Sequence, residues 1–507
     1  MADANPTTMF DVAIIGCGPV GALAANLLGR AGLSVVVLEK EREHYPLPRA
    51  VHLDHEMMRL FQTAGVIDRV APDMIATDGH LHVGADHGVI RYMGTVGKPK
   101  PFGWSNDYFF YQPELEAHLR TAFAQNGKIG LLTGAEFSAL EQGDDAVVVH
   151  YAQDGAQRHV SARWVIATDG SRSPVRKALG VALDDLGFEE PWLVVDAEVE
   201  GPVTFPPLTG VPDGADLQRL SVMMCDPERP ATVVPGRRNH RRWEFMLLPH
   251  EDDAVMMQPA NVAALVGAWM KDVPHKIVRA ATYRFHGLVA EQWQVGRVFL
   301  AGDAAHQTPP FFGQGMCHGL RDVANLAWKM AAIVHDGASQ DILATYQPER
   351  DPHVRGVIGA AVAAGRYICE LDPAKAAIRD AEIRAQGAAR QGETAADLIP
   401  AVKTGFIASG TKGAGERFIQ PILADGRKLD DLTGQGWRVF VRHESPEASA
   451  FVAGDLPDGG AVLGWLQQRD AQAVLVRPDH YVFGTGEATA LLALRDAQLA
   501  AQMELAA

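Results

Sequence analysis

Cysteine is scarce in this chain, and its distribution argues against several kinds of site. The 507 residues include four cysteines, Cys17, Cys225, Cys317 and Cys369, and none of them forms a CxxC pair. This scatter argues against structural zinc and against dithiol chemistry, so we expect no metal. It also suits a reducing compartment, and we therefore expect a cytoplasmic protein.

Long apolar runs and excess positive charge are also missing. No uninterrupted apolar stretch reaches the roughly 18 residues that a membrane helix needs, and the N-terminal residues lack the basic segment and apolar core of a signal peptide. Lys and Arg number 46 against 62 Asp and Glu, which gives a net charge of −16. Nucleic acids and anionic membranes bind basic surfaces, so we expect neither as a partner.

The N-terminal segment has the pattern of a dinucleotide-binding unit. An apolar strand leads into Gly16-x-Gly18-x-x-Gly21, which is followed by a helix and a second strand ending at Glu39. The glycines permit a tight turn, close approach of the backbone to a pyrophosphate and close packing of the helix. The helix N-terminus and Glu39 can then receive the pyrophosphate and a ribose hydroxyl. An acid at this position disfavours a 2′-phosphate, so the site suits FAD or NAD.

A second candidate ligand loop runs from Gly302 to Gly315. It follows an apolar strand, carries Asp303 and the adjacent prolines Pro309 and Pro310, and precedes a predicted helix over 319–334. Such a loop suits a ligand that carries phosphate or ribose. Together with the N-terminal motif it indicates FAD.

The length of the chain and the order of its strand-like and helix-like segments predict an α/β protein of several domains. We expect the dinucleotide-binding fold in residues 1–184, with some substrate-domain strands around 80–110, and again in the mostly helical 286–395. Short alternating segments predict a mainly antiparallel substrate-binding sheet over 185–285. Residues 396–507 predict a linker and a small α/β domain.

Three motifs in order resemble those of class A, single-component FAD-dependent aromatic hydroxylases: the glycine motif, Asp169-Gly170 and Gly302-Asp303. The segments 45–50, 241–246, 321–330 and 477–482 and the pair Gln112-Pro113 are similar to the 3-(3-hydroxyphenyl)propionate hydroxylase group, and the resemblance covers nearly the whole chain. It implies a glutathione-reductase-like FAD domain and a thioredoxin-like C-terminal domain. Because no cysteine follows Cys369, that last domain is expected to be structural or dimer-forming.

The resemblance also implies a reaction. NADH or NADPH reduces FAD, and a flavin C4a-hydroperoxide formed with O2 hydroxylates a phenolic substrate ortho or para to its hydroxyl. Asp303 is expected at the ribityl hydroxyls, and Pro309 and Pro310 as a wall beside the flavin. His306 could act in acid–base chemistry, although orienting the loop by hydrogen bonding is the favoured alternative. A homodimer remains open.

The residues expected at the site fall into a catalytic group, a cofactor-binding group and a substrate-binding group. The expected catalytic residues are Pro309, Pro310 and His306. The expected FAD contacts are Gly16, Gly18, Pro19, Val20, Gly21, Glu39, Lys40, Arg49, Gln112, Asp169, Gly170, Gly302, Asp303, Gly313, Gly315, Met316 and Cys317. Side chains of the strands near 220–225 and 243–248 are expected to select the substrate, with either face possible. The arginines at 237, 238, 241 and 242 either bind a carboxylate or, as favoured, are solvated charges beside a strand.

Three functions compete on these residues. The first is catabolic hydroxylation of a 3-hydroxyphenylpropionate-like substrate, and the second is hydroxylation of a polycyclic, polyketide or heteroaromatic phenol in biosynthesis. The third is a non-catalytic flavin-binding redox sensor, which would not need the two prolines. A flavin-dependent halogenase would need a Trp-x-Trp-x-Ile-Pro string, which the chain lacks.

Overall fold

The computed structural model describes residues 9–44, 46–387, 398–444, 447 and 449–501. The strands in chain order are β1 Met9–Ile15, β2 Val35–Glu39, β3 His52–Asp54, β4 Ile75–Ala76, β5 Gly79–Val83, β6 Val89–Gly94, β7 Asp107–Phe109, β8 Ile129–Thr133, β9 Glu136–Gln142, β10 Val147–Gln153, β11 Ala156–Ala167, β12 Leu183–Val199, β13 Leu220–Met224, β14 Ala231–Pro235, β15 His240–Met246, β16 His275–Ala290, β17 Gln294–Val295, β18 Val298–Leu300, β19 His306–Gln307, β20 Arg438–Val441, β21 Ala450–Val452, β22 Ala473–Val476 and β23 Val482–Gly486.

The α-helices lie between these strands. In chain order they are α1 Pro19–Arg30, α2 His55–Thr63, α3 Ile67–Val70, α4 Gln112–Ala124, α5 Pro174–Ala178, α6 Asp253–Met256, α7 Pro259–Met270, α8 Gly315–His335, α9 Tyr346–Ile368, α10 Pro373–Gln386, α11 Leu429–Thr433, α12 Ala461–Gln468 and α13 Ala488–Ala500. Within the described ranges, no helix is both long enough and apolar enough to span a bilayer.

The first sheet has the order β17-β18-β11-β1-β2-β8, and β1 pairs in parallel with both β2 and β11. The predicted strand–turn–helix–strand unit is therefore present. Its helix begins at Pro19, because a proline is well accommodated in the first turn, where its missing N–H would have no partner. Strands β10 and β11 form an antiparallel hairpin, and β9 extends it.

The second sheet has the order β19-β16-β12-β15-β14-β13-β5-β6, and its pairs are antiparallel except β13 with β5. Strands β5 and β6 belong to the second sheet, although they come before its other strands in the sequence. This agrees with the expectation of substrate-domain strands around residues 80–110. The expected domain boundaries at 184/185 and 285/286 fall inside the long strands β12 and β16. The boundary at 395/396 lies outside the described residues.

One face of the second sheet is occupied by α7. Trp243 and Phe245 on β15 belong to a buried cluster with Val262 and Val266 of α7. Residues of opposite parity, including Trp192, Met223 and Met246, join the core that contains β1, α1 and α8. The even-numbered residues of β15 therefore face the first sheet. The alternating pattern of the sequence could not show which of the two faces this would be.

The C-terminal strands form a separate sheet in the order β21-β20-β22-β23. This region is tied to the rest of the chain by buried polar contacts. Arg477 Nη2 donates to Glu349 Oε2 at 2.7 Å, Trp328 Nε1 donates to Asp479 Oδ2 at 3.0 Å, and the Tyr481 hydroxyl donates to a carboxylate on α2. The segments 321–330 and 477–482 that carried the resemblance thus hold the two parts of the molecule together.

Candidate functional site

The three glycines of the N-terminal turn are required for different reasons. Gly16 has a φ of +96°, and a Cβ there would lie 2.5 Å from the carbonyl oxygen of Thr168. A Cβ on Gly21 would lie 2.0 Å from the carbonyl oxygen of Gly16. Gly18 differs, because its backbone is ordinary (φ −70°, ψ −172°) and a Cβ would meet nothing within 4 Å. Neither conformation nor packing demands glycine at position 18, so open space above the start of α1 is what the missing side chain preserves.

Glu39, at the end of β2, lies beside this turn. Its carboxylate accepts hydrogen bonds from the N–H groups of Cys17 at 2.8 Å and Glu41 at 2.9 Å. These bonds hold the acid at the rim of the turn, where it could also accept from a ribose hydroxyl. Lys40 is exposed and lies 3.7 Å from the Glu41 carboxylate.

The Asp169-Gly170 motif follows β11, the neighbour of β1. The Thr168 hydroxyl donates to the carbonyl of Gly16 at 2.8 Å, which joins this segment to the glycine turn. Asp169 Oδ2 accepts from the Val175 N–H at 3.0 Å, and burial raises the pKa of Asp169. The two motifs are far apart in the sequence, and the parallel pairing of β1 with β11 brings them together.

The Gly302-Asp303 motif joins the same place from the other side. Gly302 packs against Val20, and a Cβ added to Gly302 would lie 3.2 Å from Val20 Cγ2. Arg176 donates a hydrogen bond to the carbonyl of Ala304 at 2.9 Å. Asp303 has an exposed side chain, yet surrounding protein desolvates it enough to raise its pKa. A carboxylate that is reachable but deep suits the hydroxyls of a bound ligand.

Arg49 lies on a loop that is clamped from two sides. Gln112 Oε1 accepts from the N–H groups of Arg49 at 3.0 Å and Ala50 at 2.6 Å, while Arg242 donates to the carbonyls of Pro48 and Arg49. The Arg49 side chain remains exposed. Gln112 therefore positions the loop through its amide oxygen, and Arg49 is the group that faces outward.

The loop before α8 places the predicted prolines and glycines in one turn. Pro309 is buried, Pro310 begins a short 3-10 helix to Phe312, and Gly313 has a φ of +62°. A Cβ on Gly313 would lie 2.4 Å from His52 Nδ1. At the start of α8, Gly315 and Met316 are partly accessible, and Cys317 is fully buried.

His306 lies behind this loop rather than at its surface. Its Nε2 lies 2.7 Å from Asp322 Oδ2, and both side chains are buried. Asp322 also accepts from Arg350 Nε at 2.9 Å and from the Gly302 N–H at 3.1 Å. This geometry fits the orienting reading of His306 better than the acid–base reading.

The four arginines of 237–242 do not converge on a cavity. Arg237 pairs with Asp73 and Glu114, and Arg242 pairs with Asp196 at 2.8 Å. Arg241 donates to the His240 carbonyl at 3.2 Å. The favoured hypothesis, that these arginines are solvated charges, does not describe Arg237 and Arg242, because both are buried in ion pairs.

The second sheet presents polar groups that the sequence reasoning did not single out. Residues paired across neighbouring strands form one row on the face toward the first sheet, namely Val194, Glu244, Thr232, Met223, His82 and Arg91. Burial raises the pKa of Glu244 to about 7, although Arg242 opposes the shift. The signal was present, because Glu244 stands between the apolar residues Trp243 and Phe245, but the sequence did not show which face of the sheet it occupies.

Buried histidines adjoin this row. His52 Nε2 lies 3.0 Å from Asp107 Oδ1, and the rings of His52 and His80 are 5.4 Å apart. Ligand atoms of these three residues lie within 4.8 Å of one another, a spacing that a metal ion could use. The direct His52–Asp107 contact accounts for the pair without an ion.

A cavity of about 440 Å³ lies at the edge of the second sheet, next to the proline loop. Its size is that of a small-molecule site. Its walls are formed by Arg91, Phe312, Ala360, Ala363, Ala364, Tyr367, Arg379, Glu382, Ile383, Gln386 and Leu398. The Tyr367 hydroxyl lies 2.6 Å from His82 Nδ1, which links this cavity to the polar row.

Comparison with known proteins places this geometry among flavoproteins. A family model described as FAD binding domain matches residues 9–361. The chain is 35% identical to a 3-(3-hydroxy-phenyl)propionate/3-hydroxycinnamic acid hydroxylase of Burkholderia cenocepacia (strain HI2424), with 96% of both chains covered. It is 34% identical to a probable NADH-specific resorcinol 4-hydroxylase of Rhodococcus jostii (strain RHA1), covering 95% of this chain and 93% of that one.

Two solved structures share the fold. The flavin-dependent monooxygenase PieE, in complex with FAD and substrate, superposes with a TM-score of 0.80 at 22% identity, covering 97% of this chain and 99% of that one. Aklavinone-11 hydroxylase, in a ternary complex with FAD and aklavinone, gives 0.77 at 22% identity, covering 98% and 100%. The chain therefore has the mixed α/β fold of FAD-dependent monooxygenases.

Proposed function

The chain belongs to the FAD binding domain family and to its aromatic hydroxylases, and from this premise we propose how its residues hydroxylate a phenol. It is an FAD-dependent aromatic monooxygenase with a nicotinamide co-substrate. The observation that supports the position of the cofactor is Gly18 at the start of α1, where neither the backbone conformation nor a neighbouring atom requires glycine and the space is open. The substrate, the use of O2 and the individual residue roles below are our proposal.

The residues fit FAD by their chemistry. The open space at Gly18 and the N-terminus of α1 would receive the pyrophosphate, with Pro19, Val20 and Gly21 completing the turn. Glu39 would accept from the adenosine ribose, and Asp303 would accept from the ribityl hydroxyls. We further assign to the cofactor the accessible Arg49 side chain, Asp169 and Gly170, and the segment of Gly313, Gly315, Met316 and Cys317. Lys40 would contribute only at the rim, and Gln112 through the Arg49 loop.

Bound FAD would supply the electron transfer from nicotinamide and the activation of O2, and the protein supplies position and a dry environment. Pro309 and Pro310 lock their φ angles and so keep a rigid wall at the flavin edge. Phe311 behind them packs against Trp192 with ring centroids 5.9 Å apart and against Phe188 at 5.7 Å. This aromatic packing excludes water from that side of the loop. His306 holds the loop through Asp322.

The substrate that we propose is a monocyclic phenol with a substituent meta to the hydroxyl. The named substrates of the two curated relatives, a 3-hydroxyphenyl acid and resorcinol, share that pattern. Attack would take place ortho or para to the hydroxyl, where a phenolate directs electrophilic oxygen. The resorcinol relative is described as NADH-specific, so NADH is the co-substrate we propose first.

The C-terminal region completes the proposal. Its strand order, with a parallel edge pair and two antiparallel pairs flanked by α12 and α13, supports a thioredoxin-like domain. It carries no cysteine, so its role is structural, or it forms a homodimer. Sedimentation of the purified chain would decide between a monomer and a dimer.

The function is tested with the purified, FAD-loaded protein. NADH and NADPH oxidation is followed with 3-hydroxyphenylpropionate, resorcinol, hydroxybenzoates and polycyclic phenols, and products are identified by mass spectrometry. We expect at least one meta-substituted phenol both to accelerate oxidation and to gain one oxygen atom. A product only from polycyclic phenols would shift the substrate class, and no product from any phenol, with flavin bound, would favour a redox sensor.

A further inference from the structure

Glu244 occupies the centre of the sheet that faces the proposed flavin site. It is paired with Val194 of β12 on one side and with Thr232 of β14 on the other. Arg242, two residues earlier on the same face, reaches the carbonyls of the loop that carries Arg49. The side chain of Glu244 therefore points toward the proposed flavin site and away from α7.

The carboxyl group of Glu244 is largely buried, keeps some solvent access and has no bonding partner in the described part of the chain. Only 9% of the residue is exposed, and within the described part of the chain its oxygens make no hydrogen bond or ion pair. The neighbouring Thr232 Oγ1 is likewise buried and unpartnered. A buried hydroxyl without a hydrogen-bond partner is unfavourable, so Thr232 Oγ1 beside the unpaired Glu244 carboxyl indicates a site for a ligand that can hydrogen-bond.

The charged groups that act on Glu244 are few. Arg242 favours its ionised form and Asp196 opposes it, and these two residues are themselves ion-paired. Its direct neighbours Val194 and Thr232 carry no charge. The carboxyl therefore changes its protonation state near neutral pH, where a general base is most effective.

We propose that Glu244 is the base that accepts the phenolic proton of the substrate, and that Thr232 Oγ1 hydrogen-bonds the same substrate oxygen. This rests on the proposed function. The phenol O–H bond breaks and a carboxyl O–H bond forms, with no change in oxidation state. The phenolate oxygen then directs electron density to its ortho and para carbons, and the proton returns when the product phenol is released.

The test uses the FAD-loaded Glu244→Gln variant, which keeps the shape of the side chain and removes its basicity. A matched control is Glu198→Gln, an exposed glutamate on the same sheet. In the wild type we expect the hydroxylation rate to rise with pH through about 7. The variant should retain FAD and lose this rise, and its kcat should fall by about 100-fold or more.

A series of phenols of graded acidity makes the test specific. The loss in Glu244→Gln should shrink for fluorinated phenols, which ionise without help, and Thr232→Val should raise KM more than it lowers kcat. An unchanged pH profile in Glu244→Gln, or an equal loss for every phenol, would overturn the proposal. A wild type that hydroxylates no phenol would instead overturn the proposed function, and a pH-independent wild-type rate would reject the base even if the variant failed to fold.

Discussion

His306 Nε2 lies 2.7 Å from Asp322 Oδ2, in a region from which solvent is excluded. Through this contact the loop with the two prolines is fastened to α8, and through Arg350 to α9. Although burial opposes it, the interactions with His306 and Arg350 hold the pKa of Asp322 below its usual range. This contact fits the favoured alternative for His306, which is to orient the loop by hydrogen bonding.

Replacing Asp322 should therefore destabilise the protein. Asp322→Ala leaves Arg350 and His306 buried without their partner, and breaking such a pair costs about 3–5 kcal/mol. We expect a lower denaturant midpoint and weaker FAD retention. Asp336→Ala, an exposed change just after the same helix, is the control and should leave both unchanged. Equal midpoints for the two variants would contradict the supporting role.

More of the proposed cofactor site than of the proposed substrate site could be predicted from the sequence. Glycines at 16, 18 and 21 act through local backbone geometry, which a short motif encodes, and parallel strands bring Asp169 to them by a standard topology. The role of Glu244 depends on which face of β15 meets the first sheet, and that is decided by α7 packing on Trp243 and Phe245. No local pattern specifies that choice, because alternation is the same for either face.

The polar motifs of 321–330 and 477–482 also make contacts that could not be predicted from the sequence. They marked the family correctly, yet much of their chemistry is a buried network between helices and the C-terminal sheet, such as Lys329 Nζ donating to Glu349 Oε1 at 3.0 Å. A charged residue in a helix is usually exposed, and Glu349 is buried here because it also pairs with Arg477, which lies 128 residues away in the sequence. Only the tertiary structure supplies that partner.

Gly18 and Gly21 should respond differently to a single methyl group. Gly18→Ala meets no protein atom within 4 Å and keeps an allowed backbone, so the fold should be unaffected while FAD binding weakens. Gly21→Ala places its Cβ 2.0 Å from a backbone oxygen, so both thermal stability and FAD content should fall. Thermal unfolding without added FAD and flavin absorbance of the purified variants measure the two effects. Full FAD binding by Gly18→Ala would remove the main support for the pyrophosphate position.

The cysteines should be inert in the folded protein. Burial raises the pKa of Cys17 and Cys225 to about 12, and it also raises the pKa of Cys317 and Cys369. Because the thiolate is the reactive form, iodoacetamide at neutral pH should modify them slowly until denaturant is added. Peptide mass mapping with and without denaturant checks this. Rapid labelling of Cys317 in the native state would reopen a redox role beside the flavin.

Glu349 should make the protein sensitive to acid. Burial alone would raise its pKa, but Arg477 and Lys329 hold the pKa of Glu349 at about 2. An unfolded glutamate has a pKa of about 4.3, so the unfolded chain binds more protons between these values. The stabilisation, on the order of 3 kcal/mol, is complete above about pH 4.3 and is lost as the pH falls toward 2.

The Glu349→Gln variant tests this directly. It should be less stable than the wild type at neutral pH, because Arg477 and Lys329 lose their shared carboxylate, and its stability should fall less steeply between about pH 5 and 3. The exposed change Glu291→Gln is the control and should follow the wild-type curve. Denaturant midpoints measured across that pH range give the slopes. If Glu349→Gln and the wild type lose stability in parallel as the pH falls, the acid sensitivity arises from other groups than Glu349.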